Sequence, residues 1–137
     1  PSFHRSVRKR QIESPKFYLF DTGVKRALER NLSVELRAGS YGYGRAFEHF
    51  VILEILRLNE YYQKDFKLSY LKTKDGAEID LILERPGQAE LLIEIKSAKL
   101  ATQDHVKSLV HFKKSWDRKV DTILLSLDDL DKKLNDI

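Results

Sequence analysis

The chain has no cysteine and no methionine. The absence of cysteine excludes disulfides and any thiolate zinc site, and it fits a cytoplasmic protein. There is no apolar run of membrane length and no signal-peptide pattern, so no membrane role is expected. Internal repeats and low-complexity tracts are also missing. The glycine-rich stretch Ala38–Gly44 lacks a following Gly-Lys-Ser/Thr, so it is not a phosphate loop. It reads as a flexible lead into the next helix, and the chain carries no recognisable ATP site of its own. One-sided charge is scarce: 25 Lys and Arg stand against 21 Asp and Glu, a net +4. Such an excess suits a polyanionic partner, yet ordinary solubility asks for as much.

The 137 residues, 42% hydrophobic and 34% charged, fit one soluble domain with a real core. A start at Pro1 in a chain without methionine reads as a piece of a longer protein. Residues 1–16 are basic, with Arg5, Arg8, Lys9, Arg10 and Lys16 against Glu13. They read as a solvated linker from a preceding domain, with a nucleic-acid-binding arm as the alternative. Domain structure is expected over 17–137. It starts with the aromatic run Lys16–Phe20, a cap at Asp21 or Thr22, and a helix Val24–Arg30.

The most informative stretch is Gly76–Leu83 followed by Leu91–Ser97. Each run alternates apolar and polar residues, the mark of a strand with two unlike faces. Pro86-Gly87 lies between them and signals a turn, so the pair reads as a hairpin. One register sets Ile79 opposite Ile95, Leu81 opposite Ile93 and Leu83 opposite Leu91, all on one face. The other face then carries Glu78 opposite Lys96, Asp80 opposite Glu94, and Ile82 opposite Leu92. A slip of one residue would drive the carboxylates among the apolar side chains. Two facing carboxylates repel, so a divalent cation or Lys96 must offset their charge. The plainer alternative is an exposed polar face that Lys96 neutralises.

Upstream, Arg45–Asn59 reads as a strongly apolar helix. At helical spacing Glu48 shares a face with Val51, Ile52 and Ile55, where an unpaired carboxylate is costly. Glu48 is therefore either a site residue or a partner of Arg45 or a lysine. Glu54 is a weaker candidate, and His49 falls on the polar side. Phe66–Thr73 reads as a strand joined to the next by a two-residue Asp75-Gly76 turn. That turn sets Tyr70 opposite Leu81, Leu68 opposite Leu83 and Lys72 opposite Ile79, with Leu71 beside Asp80. Downstream come a helix over Gln103–Lys114 and a strand Lys119–Leu125, parallel to the preceding strand by a right-handed crossover. A terminal polar helix is expected over Leu127–Leu134. The fold class is α/β: a mixed sheet flanked by helices, in the order αβββαβ with an N-terminal helical elaboration.

A helix-borne Glu48, a strand-borne Asp80 and the run Glu94-Ile95-Lys96 form an ordered set that resembles the PD-(D/E)XK, or restriction-endonuclease-like, nucleases. More narrowly, the chain resembles the uncharacterised C-terminal domain found behind prokaryotic AAA-type ATPase modules. Phe20-Asp21-Thr22-Gly23, Gly44 with Phe47–Val51, Thr73 with Gly76–Asp80, and Ile93–Ser97 carry that likeness. Ile79 stands where the nuclease pattern often has proline. The resemblance implies a magnesium- or manganese-dependent endo- or exonuclease acting on DNA, on branched or single-stranded ends. Asp80 and Glu94 would be metal ligands with the Ile95 carbonyl, Glu48 would complete the shell directly or through water, and Lys96 would orient the attacking water. Glu78 would be a further ligand or a partner for Lys96. The implied partners are DNA and an N-terminal ATPase module in the same longer chain. Two alternatives stand beside this: an inactive nuclease-fold module that binds nucleic acid or protein for the ATPase, and a homo-oligomerisation domain.

Overall fold

The computed structural model describes residues 26, 29–30 and 33–134. The basic segment 1–16, the aromatic run, the caps at Asp21 and Thr22 and most of the helix expected over Val24–Arg30 lie outside the described residues. The first long element is helix α1, Tyr41–Tyr61. It begins earlier than the apolar pattern predicts and takes in Gly42 and Gly44. Ser40 is the reason: its backbone is extended and its Oγ accepts from the Tyr43 amide at 3.2 Å, satisfying a donor the helix start leaves open. The glycine-rich stretch is thus partly helical rather than wholly a loose lead.

After α1 come strands β1 (Lys67–Lys72), β2 (Glu78–Glu84) and β3 (Glu90–Ile95). The 3-10 turn Gln103–Val106 leads into helix α2 (Lys107–Ser115), and strand β4 (Val120–Leu125) follows. The sheet order is β1-β2-β3-β4. The first three strands form an antiparallel meander and β4 lies parallel to β3, as the sequence pattern implies. The order of elements is αβββαβ.

The β2–β3 register is the expected one: Leu81 pairs with Ile93, Ile82 with Leu92 and Leu83 with Leu91. The turn between them is built by Pro86 and Gly87. Gln88 donates to the Arg85 carbonyl at 3.0 Å, and Gly87 has φ 72°, which a type II turn demands at that position.

The β1–β2 hairpin departs from expectation. Thr73 donates to the Ala77 carbonyl at 2.8 Å and Gly76 donates to the Thr73 carbonyl at 3.0 Å, with Gly76 at φ 86°. Lys74, Asp75 and Gly76 therefore all lie in the loop, and Lys72 pairs with Glu78 instead of Ile79. Leu68 still pairs with Leu83. The two registers are reconciled by a bulge. Ser69 pairs with Ile82 and Leu71 with Ile79, so Tyr70 alone faces both Asp80 and Leu81.

The bulge redistributes side chains between the two sheet faces. Leu81, Leu83, Ile93 and Ile95 pack under α1 with Ile52. Ile79, expected with them, instead joins Ile82, Leu92 and Leu71 beneath α2, against Leu109 and Phe112. Beyond the bulge the in–out alternation is reversed, so a residue read as belonging to one face belongs to the other. The sheet is consequently buried on both sides, with one helix on each.

The terminal polar helix does not form: residues 126–134 are irregular. Asp128 diverts the backbone there. Its Oδ1 accepts from the Leu130 amide and its own amide donates to Ser126 Oγ, both at 3.1 Å, which competes with helical hydrogen bonding. Leu134 ends the segment by packing into the α2-side core.

Where α1 turns into β1, the Asn59 amide spans the corner. Its Nδ2 donates to the Phe66 carbonyl and its Oδ1 accepts from the Phe66 amide, both at 2.9 Å. Asn59→Ala removes both bonds in a part-buried setting. Urea denaturation should show a loss of about 1–3 kcal/mol with an unchanged m-value; an unaltered midpoint would show that the clamp contributes nothing.

Candidate metal centre

Asp80 and Glu94 sit on the two central strands, and each is almost buried, at 6% and 5% exposure. Regular pairing of β2 with β3 ends at Leu81 and Ile93. Past that point Asp80, re-aimed by the bulge, engages β3 through its side chain: Oδ2 accepts from the Ile95 amide at 2.8 Å. Glu94 is beside it. The Lys96 ammonium lies 3.3 Å from Glu94 Oε1, while Glu94 Oε2 is buried and accepts no hydrogen bond among the described residues.

Burial, and next the Asp80 charge, push the Glu94 carboxyl up to about 8; the Lys96 charge pulls it down without prevailing. Lys96 is 44% exposed, so its charge is partly screened. The spare oxygen of Glu94 thus asks for either a proton or a cation. The expected facing of two carboxylates is realised through their side chains rather than as a regular strand pair.

Glu90 shows what a purely structural buried carboxylate looks like on the same strand. Its Oε2 accepts from Trp116 Nε1 and its Oε1 from Arg118 Nη2, each at 2.8 Å. Both oxygens are committed. The sequence pattern did not single out Glu90, because its partners lie beyond the next helix.

Helix α1 approaches the centre at its N-terminal half. A methyl group placed on Gly44 would lie 3.6 Å from Ser97 Oγ, just past the end of β3. Glu48 lies one turn further along the same face of α1 and is half-buried. Its charge bears on Arg45, whose guanidinium is held above its usual range first by the hydrogen bond to Tyr41 and then by the nearby charges. Among the described residues no group of three or more Asp, Glu, His or Cys is arranged to hold a metal ion. The fold therefore brings Asp80, Glu94 and Lys96 together and leaves Glu48 outside a three-carboxylate set. Glu54 pairs with Arg57 on the surface.

His49 corrects the sequence reading. It is buried, at 2% exposure, not on a solvated polar side. The buried stripe of α1 runs through His49, Ile52 and Leu53, at the i, i+3, i+4 spacing of a core-facing helix. A histidine scored as polar hides that extension of the stripe.

The donor set fits a hard divalent cation. Magnesium is commonly held by one or two carboxylates and keeps several waters, so Asp80 and Glu94 are of the donor type it takes. The spare Glu94 oxygen is the observation that favours this fit.

The fold and centre define a mixed α/β domain with a paired-carboxylate site at the end of its central strands. The chain belongs to the family described as Domain of unknown function (DUF4143), which matches residues 43–137. That family is often found in proteins associated with AAA ATPases. No curated protein and no solved structure matches the chain. None of the described helices is long and apolar enough to cross a membrane.

The raised Glu94 group has a signed consequence for the metal-free protein. Its folded value, about 8, exceeds the ordinary 4.5, so the folded state holds the extra proton between those values. The contribution of this group to stability is then fully present below the lower value and is lost as pH rises through the upper one. Glu94→Gln should flatten that slope and be more stable than wild type above about pH 8, by a few kcal/mol. Urea midpoints across pH measure it; an identical slope in the variant would assign the effect to another group.

Proposed function

We propose that this domain is a magnesium-dependent nuclease that hydrolyses DNA phosphodiester bonds, in the cytoplasm, as the C-terminal part of a longer chain with an AAA-type ATPase module. The observation that carries the reading is the buried Asp80–Glu94 pair with an uncommitted Glu94 oxygen and Lys96 at its rim. The PD-(D/E)XK resemblance of the same residues supports it, and so does the net charge of +4, which suits a polyanionic substrate.

Asp80, Glu94 and the Ile95 carbonyl would hold the ion, with Glu48 acting through water. Magnesium or manganese, when bound, supplies a Lewis acid for a phosphoryl oxygen and makes a coordinated water more acidic. The Lys96 side chain is partly exposed and its ammonium lies beside Glu94, so it can reach a phosphate while Glu94 keeps it oriented. It orients the attacking water and offsets the negative charge that develops on the phosphate. The water oxygen bonds to phosphorus, one P–O ester bond breaks, and the departing oxygen leaves as an alcohol with a proton. Asp80 keeps its place through the Ile95 amide, so the ligand geometry is prepared before substrate arrives.

The lack of a three-carboxylate group among the described residues favours a second reading. In it the domain is an inactive nuclease-fold module that binds nucleic acid or protein for the ATPase, or self-associates as a homo-oligomer.

Incubation with linear, branched and single-stranded DNA should give cleavage only with magnesium or manganese. Asp80→Ala and Lys96→Ala should each lower the rate by about 100-fold or more. Cleavage surviving both substitutions would sink the assignment. Calorimetric manganese titration separates the readings: binding that needs Asp80, without turnover on any DNA, selects the inactive module.

A further inference from the structure

Lys96 lies just outside the sheet, since β3 ends at Ile95. Its backbone is held on the upstream side by β4: the Lys96 amide donates to the Leu125 carbonyl at 2.9 Å. Downstream, residues 96–102 have no regular structure. Two hydrogen bonds tie this segment to the irregular stretch after β4. The Leu127 amide donates to the Ala98 carbonyl at 3.0 Å, and the Ala101 amide donates to Asp128 Oδ2 at 2.8 Å.

The stretch that supplies these bonds is itself anchored. Asp128 has only 8% of its side chain exposed; Lys132 Nζ lies 2.7 Å from its Oδ2, and the Leu130 amide donates to its Oδ1. Leu134 is seated in the core beside α2. One carboxylate therefore gathers two backbone amides and an ammonium, from two segments far apart in sequence. A lysine head 3.3 Å from its partner keeps that place only if the backbone carrying its long stem is fixed on both sides.

We propose that the 126–134 strap, through Asp128, positions Lys96 by pinning the 96–102 segment from behind. Asp128 is a positioning residue: it acts on the chemistry only through the lysine, and this part rests on the nuclease reading above. The ligands Asp80 and Glu94 lie within the sheet and do not depend on the strap.

The test compares Asp128→Ala, Asp128→Asn and Lys132→Gln with Asn59→Ala, which weakens the opposite corner of the domain. In metal-free protein, hydrogen exchange at the Lys96 amide should quicken by about tenfold in Asp128→Ala beyond the change in Asn59→Ala. Asp128→Asn, which retains an acceptor, should recover part of the protection. With manganese and DNA, Asp128→Ala should lower kcat by about tenfold while KM and manganese affinity stay near wild type. Unchanged exchange at Lys96 in folded Asp128→Ala, or in Lys132→Gln and Asp128→Asn should the alanine variant not fold, overturns the proposal. A wild-type protein that cleaves no DNA sinks the nuclease reading alone, because the exchange experiment still decides whether the strap holds Lys96.

Discussion

A carboxylate taken out of water must be satisfied at both oxygens or give up its charge. Glu94 is where this constraint bites hardest. Its surroundings are set by the sheet, which buries it, and by the bulge, which brings Asp80 against it. Lys96 answers one oxygen from a partly solvated position and leaves the other without a donor. The domain thus keeps an unfavourable arrangement within its buried sheet. Local cost of this kind persists only where the surrounding structure over-determines it, and it gathers at sites that bind or react.

The same strand supplies its own comparison. Glu90 is as buried as Glu94, yet Trp116 and Arg118 satisfy it fully. One end of β3 uses a carboxylate as a fastening between sheet and helix connection, and the other end holds one in reserve. Arg85 belongs with the fastening end: it donates to the Ala89 carbonyl and reaches Asp121 on β4 at 2.6 Å. Burial alone therefore does not mark a site in this fold; the inventory of donors around each oxygen does.

Much of the fold was legible in the alternation of Ile79–Leu83 and Leu91–Ile95, because a period of two and a Pro-Gly turn leave few registers open. The parallel return of β4 followed from the intervening helix. Three features were not legible. The loop at Lys74–Gly76 is a residue longer than Asp75-Gly76 suggests, which displaces Lys72 and Ile79 from their expected partners. Asp128 binds backbone amides in preference to a final helix, a choice that depends on where Ala101 lies. His49 is buried because α1 is covered over a wider arc than its apolar residues indicate.

The amino-acid order alone determined a central hairpin with Asp80, Glu94 and Lys96 toward one end of it, since pairing of alternating strands is a local, periodic constraint. It also determined the αβββαβ order and the absence of any thiol chemistry. Only the tertiary structure decided which carboxylate holds the backbone amide and which is left with an open oxygen. That choice depends on a single extra residue in β2 and on burial by two helices, quantities that arise when distant segments pack and that no local pattern encodes.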